Sequence, residues 1–285
     1  MMEYALPPIA AVLLWWLGTG VVILLDRLPA DCGGRKTVAF VAASSFAIAA
    51  LAVIGQTANS LGVGAAYSGF VCAVVLWGWH ELAFLGGWLT GPRRVAATLG
   101  ARGLTRFGQA LQVLLWHELA LLATALALWL WLDRSANPTA AWTFTLLYAM
   151  RVSAKLNLYL GVRNLALDFL PPRLLYLGSY FRQRPFNALM PWSLLGATVV
   201  TGWLIHGAQA TTGGAQAAHL LLASLLTLAL VEHLMMVLPL EPSALWRWAL
   251  RRPVEARPRS PTPRKARAPP SSSAAASAVS QPPSG

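Results

Sequence analysis

Three histidine–glutamate adjacencies stand inside apolar stretches of this chain. They are His80-Glu81 in VVLWGWHELAFLGGWLTGPRR, His117-Glu118 in QVLLWHELALL and, in reverse order, Glu232-His233 in LALVEHLMMVL. A neutral imidazole can bind the magnesium or iron of a tetrapyrrole axially, or ligate a metal together with a carboxylate. It can also do neither and hold helices together by hydrogen bonds, the ordinary role of a histidine in a membrane. Adjacent residues on a helix point about 100° apart, so the two members of a pair cannot serve one partner. Two cations, Arg151 and Lys155, lie in a further apolar run with Asn157 beside them. Their i, i+4 spacing puts both on one helical face. Glu81, Glu118 and Glu232 are the acids at hand to neutralise them. The expected division turns each glutamate toward the Arg/Lys pair and each histidine toward a neighbouring groove.

Other site chemistries find no pattern. His80-Glu81 and His117-Glu118 are followed by LAFLG and LALLA, so HExxH is absent, and no Glu-x-x-His spacing builds a dimetal centre. There is no glycine-rich phosphate loop and no nucleophile elbow. Cys32 and Cys72 fall in different segments without metal-knuckle spacing. His80, His117 and His233 remain candidate pigment or metal ligands, and Glu81, Glu118, Arg151, Lys155, Asn157 and Glu232 a candidate buried ion-pair network.

The elements that must position these groups follow from composition. Of 285 residues, 56% are hydrophobic and 11% charged, and the mean hydropathy is +0.55. A soluble domain carries about 25% charged residues, so the chain reads as an all-α integral membrane protein. Apolar runs of about 18 residues mark spans, and seven are expected: 8–25, 37–54, 64–89, 107–132, 139–160, 188–206 and 217–238. The third has room for a re-entrant turn at Gly86-Gly87.

Charge then sets orientation. Arg27, Arg35 and Lys36 follow the first run, and Arg93, Arg94, Arg102 and Arg106 the third. Arg163, Arg173, Arg182 and Arg184 follow the fifth, and the remaining cluster, from Arg247 to Arg267, follows the seventh. The opposite side holds only Arg134. By the positive-inside rule the N-terminus is periplasmic and the C-terminus cytoplasmic. The segment before the first run has no Lys or Arg, so a retained first helix is expected in place of a cleaved signal peptide. His80 and His117 then each lie about ten residues from the cytoplasmic end, roughly 15 Å deep and near mid-membrane.

Residues 1–240 form the expected transmembrane domain. Residues 241–285 form a basic Pro/Arg/Ser-rich tail with little to bury, expected to be disordered and drawn to anionic lipid. EPSALWRWALRR at its start suits the membrane surface. Between the fifth and sixth runs, Tyr176, Tyr180 and Phe181 interleave with Arg182 and Arg184. With Arg93 and Arg94 of TGPRR they form a candidate cytoplasmic docking surface. A loop tied to the membrane at both ends is a poor nucleic-acid site.

WGWHE with TGPRR, then WHELA, RVSAKLNLYLGVRN and FLPPRLLYLGSYFRQRPFN, resemble in order and spacing the photosynthetic complex assembly protein 2 family, PuhE. The likeness spans roughly residues 5 to 205 and does not extend with the same force to Glu232-His233. It implies a multi-pass inner-membrane factor of an anoxygenic phototroph, concerned with building the reaction centre and light-harvesting core and with bacteriochlorophyll supply. It further implies core-complex subunits or pigment-synthesis enzymes as partners, a (bacterio)chlorophyll or other tetrapyrrole as candidate ligand, and no catalytic residues. Two rival readings are a metal- or tetrapyrrole-dependent membrane enzyme built on the His/Glu pairs, and a small-molecule transporter with a water path to Glu81 or Glu118.

Overall fold

The computed structural model describes residues 2–27, 34–239 and 242–250. Within them the backbone is helical, and β pairing is limited to one bridge, Val162 to Gln183. The helices are α1 (Met2–Asp26), α2 (Arg35–Thr57), α3 (Val63–Leu85), α4 (Gly103–Leu132), α5 (Thr139–Leu160), α6 (Leu189–Ala210), α7 (Gly213–Val237) and the short α8 (Arg247–Leu250). Among the described residues, six helices are long and apolar enough to cross a membrane: α1, α2, α3, α4, α6 and α7. That is the make-up of a multi-pass membrane protein. Their outer faces carry Val38, Phe46, Leu130 and Trp192 at 68%, 69%, 84% and 70% exposure. Such a belt is tolerable against lipid and not against water.

Seven spanning helices were expected, and α5 is the one that does not meet the apolarity of the rest. Its 22 residues rise roughly 33 Å, enough for the hydrocarbon core. Arg151 and Lys155 make one face polar and Ser153 and Asn157 the opposite one, and it is packed among α3, α4, α6 and α7.

α3 lies at the centre, against α1, α2, α5 and α7, while α6 and α7 form a tight hairpin. Ile54, Leu76, Leu121, Leu128 and Phe144 join α2, α3, α4 and α5 in one core. α3 stops at Leu85, four residues before the expected end, because Gly86-Gly87 follows. Gly87 takes φ +79°, a conformation open to glycine and costly to other residues. The chain then turns back along the middle of α4. Gly91 touches α4 so closely that a Cβ there would collide with the Gln112 carbonyl. The Thr90 carbonyl accepts the His117 backbone N–H at 3.0 Å. A foreign carbonyl in a helix's hydrogen-bond ladder pins the two segments in register.

The stretch expected to lie along the membrane surface forms a 3-10 helix, Pro242–Trp246, followed by α8, and packs onto α1. Trp246 is buried, its ring 5.0 Å from that of Trp15 in an edge-on contact. Its indole N–H donates to the Trp16 carbonyl at 3.2 Å. The first compact unit is Met1–Arg251, and residues 242–250 fall within it. The second unit, residues 252–285, and with it the expectation of disorder, lies outside the described residues, as does Cys32.

Candidate functional site

α5 carries both cations and delivers one to each neighbour. Arg151 Nη2 donates to Glu81 Oε2 of α3 at 2.8 Å, and the Lys155 ammonium donates to Glu118 of α4. The i, i+4 spacing separates the two cations by one turn, which lets a single helix neutralise acids on two others. An unpaired charge deep in a membrane costs about 2.5–3.5 kcal/mol or more, and pairing offsets such a cost for these four groups. They are not sealed: the side chains of Arg151, Glu81, Lys155 and Glu118 keep 40%, 13%, 18% and 17% of their surface accessible. The third acid departs from the expectation. Glu232 accepts the indole N–H of Trp15 at 2.8 Å and pairs with no cation among the described residues. Asn157, fully buried, donates to the Ser153 carbonyl at 2.9 Å and to Ser193 Oγ at 3.1 Å. It therefore ties α5 to α6 and stands apart from the charges.

The histidines point elsewhere. His233 Nδ1 lies 2.9 Å from the Ala229 carbonyl. A carbonyl only accepts, so Nδ1 carries the proton and Nε2 takes that of Ser153 Oγ at 2.9 Å. Both nitrogens are spent, Nδ1 within α7 and Nε2 on holding α7 to α5. His80 Nε2 is 3.0 Å from Thr124 Oγ1, while its Nδ1 is buried without a partner. His117 is wholly buried with neither ring nitrogen bonded, and its ring lies 4.6 Å from that of Phe84. His80 and His117 thus face different turns of the opposing helix and do not meet. Among the described residues no group of three His, Cys, Asp or Glu side chains is placed to hold a metal ion.

A cavity of about 720 Å³ runs between α1, α3, α4, α5 and α7 to the connection after α5. Glu81, Glu118, Arg151, Lys155 and Glu232 line it, amid Trp15, Trp77, Phe84, Tyr148, Tyr159 and Trp246. His80, His117 and His233 do not. A tetrapyrrole in this cavity would find no imidazole in its lining to bind its metal.

Of the candidate docking residues, Arg94 and Arg184 are exposed, and Arg93, Tyr176, Phe181 and Arg182 are half-buried. Tyr180 is not a surface residue at all: it is 3% exposed. Its hydroxyl accepts from Arg93 Nε at 2.8 Å and donates to the Val95 carbonyl at 3.0 Å. Burial pushes the Tyr176 hydroxyl's pKa up, against the opposing pull of the Arg94 charge.

The sequence reading missed several anchors. Arg106, counted as a loop cation, sits buried in the first turn of α4. It donates to the Tyr180 carbonyl at 2.7 Å with its guanidinium 4.6 Å over the Tyr159 ring. Arg173 pairs with Asp26 at the end of α1. Asn137 donates to the Ala65 carbonyl at 2.9 Å and accepts from Thr139 Oγ1 at 2.6 Å. Asn187 Oδ1 accepts the Leu189 N–H at 2.9 Å, while its amide donates to the Gly161 carbonyl at 2.7 Å. The two asparagines carried a signal: Asn-Pro before α5, and a capping residue ahead of the apolar run of α6.

Comparison with known proteins places these residues in a family context. Residues 1–257 match a family described as protein of unknown function (DUF3623). An uncharacterized 30.4 kDa protein in the puhA 5′ region of Rhodobacter capsulatus is 37% identical over 245 residues, covering 85% of this chain and 89% of its own. No solved structure matches. A match across nearly the whole of the membrane unit, charged cavity included, makes this chain a member of the DUF3623 family.

Proposed function

We propose that this protein is an assembly factor for the photosynthetic apparatus of a bacterial inner membrane, working through protein contacts and not by turning over a substrate. The observation that carries this reading is the co-extensive relative whose name sets it in the puhA 5′ region, a photosynthesis operon region. The motif blocks that resemble the photosynthetic complex assembly protein 2 family point the same way.

On this reading the chain crosses the membrane seven times, α5 included, with a periplasmic N-terminus and a cytoplasmic C-terminus. Loop charge asymmetry supports that orientation. The internal pairing of Arg151 and Lys155 supports α5 as a span despite its polarity. The cytoplasmic face then presents Arg94 and Arg184 over a rigid layer fixed by Tyr180. That basic surface suits subunits of the reaction-centre/light-harvesting core or pigment-synthesis enzymes.

The test is deletion of the gene in its own phototrophic host, with near-infrared absorption of membranes as readout. The expected result is loss of most of the core-complex band at unchanged transcript level, restored by the wild-type gene. The joint variant Arg94→Ala/Arg184→Ala should reach normal membrane abundance and restore the band poorly. A deletion strain with a normal core band would overturn the reading.

A further inference from the structure

Protein interiors pack like organic crystals, with few voids larger than a water molecule. A space of about 720 Å³ within the bundle is on the scale of a ligand site. Its walls and its one charged zone constrain the occupant. Four of the charges cancel in pairs, Glu81 with Arg151 and Glu118 with Lys155. Glu232 adds an acidic side chain to the lining, and both cations are already engaged by carboxylates, so an anionic head such as a phosphate or a fatty carboxylate finds no spare positive charge. The hydrogen-bonding capacity is in surplus on both sides. Lys155 has three donors and spends one on Glu118; Arg151 has five and spends one on Glu81. Arg151 Nε and Glu81 Oε1 are both buried without a partner. The matching head is uncharged, accepts from the cations and, when protonated, donates to the carboxylates. Around it stand flat rings, Trp77, Phe84, Tyr148 and Tyr159, which favour a planar unsaturated group. Val22, Leu147, Leu225 and Met235 are among the aliphatic side chains that make up much of the remaining lining.

We infer that this cavity binds a lipid-soluble quinone or its quinol. The ring sits among the aromatic side chains, the carbonyl or hydroxyl oxygens engage Lys155, Arg151 and their glutamates, and the tail lies against the aliphatic part of the lining. The inference concerns binding alone and stands whether or not the assembly reading is correct.

The full-length protein, purified in mild detergent, is titrated with 2,3-dimethoxy-5-methyl-6-decyl-1,4-benzoquinone. Tryptophan fluorescence serves as readout, because Trp15, Trp77 and Trp246 line the cavity. The expected result is saturable quenching at one site per chain and a rise in Tm. Replacing both members of one pair, Glu118→Gln with Lys155→Met, should weaken binding at least tenfold without stranding a charge. Gly78→Leu should abolish it: a Cβ there meets only Val22 Cγ2, at 3.8 Å, so the added side chain enters the cavity. Ala154→Leu provides an independent block, and the ligand-free Tm of each variant separates loss of binding from loss of fold. The inference fails if quenching is not saturable. It fails equally if decanol binds as tightly as the quinone, or if the Glu118/Lys155 variant binds as the wild type does. Tighter binding of palmitate, of a dodecyl ammonium ion or of a metal-free tetrapyrrole ester would each assign the cavity to another class.

Discussion

At the level of single residues, the twin ion pairs make a sharp energetic prediction. Removing one partner leaves the other charged in a low-dielectric interior, which costs about 3–5 kcal/mol. Lys155→Ala should therefore lower Tm in detergent strongly, and Arg151→Ala should do the same less severely because its side chain is more accessible. The neutral double replacement Glu118→Gln/Lys155→Met should recover most of the loss. If Lys155→Ala melts like the wild type, the pair is not what holds α4 to α5. The membership of this set was legible in the sequence, since a bilayer offers few other partners to a buried charge. The assignment of acids to cations was not. It depends on how each helix is rotated about its axis, and no sequence spacing reports that. Glu232 shows the limit: it looked like a third counter-ion, but the indole N–H that satisfies it comes from Trp15, 217 residues away.

Among the elements, α5 begins and ends where its apolar run does, from Thr139 to Leu160. Asn-Pro before it and Gly161 after it are local signals, and local signals suffice for a helix boundary. The segment 86–94 was harder to foresee. Gly-Gly announced a turn, yet the return of the chain to mid-α4 rests on close approach of Gly91 to the α4 backbone, a tertiary fact. Gly91→Ala should force that segment away and release the His117 amide from Thr90. Hydrogen exchange at the His117 N–H would then rise well above wild type, and unchanged protection would show that the contact is slack. Asn187→Ala removes the acceptor for the first turn of α6 and leaves the Gly161 carbonyl without its donor. A loss of about 1–2 kcal/mol is expected, measurable as a lower Tm, and Asn187→Asp should restore only the capping part.

For the molecule as a whole, orientation can be read with two engineered cysteines in a background lacking Cys32 and Cys72. Ala136→Cys, before α5, should react with an impermeant maleimide added to intact spheroplasts. Gln183→Cys, after α5, should react only once the membrane is opened. Labelling of both from the same side would mean that α5 does not cross. Hydropathy made the membrane class readable from composition alone, while the placement of Lys and Arg in alternate loops is what sets the expected topology that this labelling tests. The cavity was invisible in the sequence, because a void is defined by what five helices fail to fill together. A final consequence lies in the docking of residues 242–250 on α1. The hydrogen-bond partners of Trp16 in that contact lie 229 and 230 residues downstream. At about 5–20 residues per second of translation, the first helix waits roughly 10 to 45 s in the bilayer before they are made. Throughout that interval its tryptophan-rich flank is an unfinished surface, and a ribosome that stops short of Trp246 leaves it permanently so.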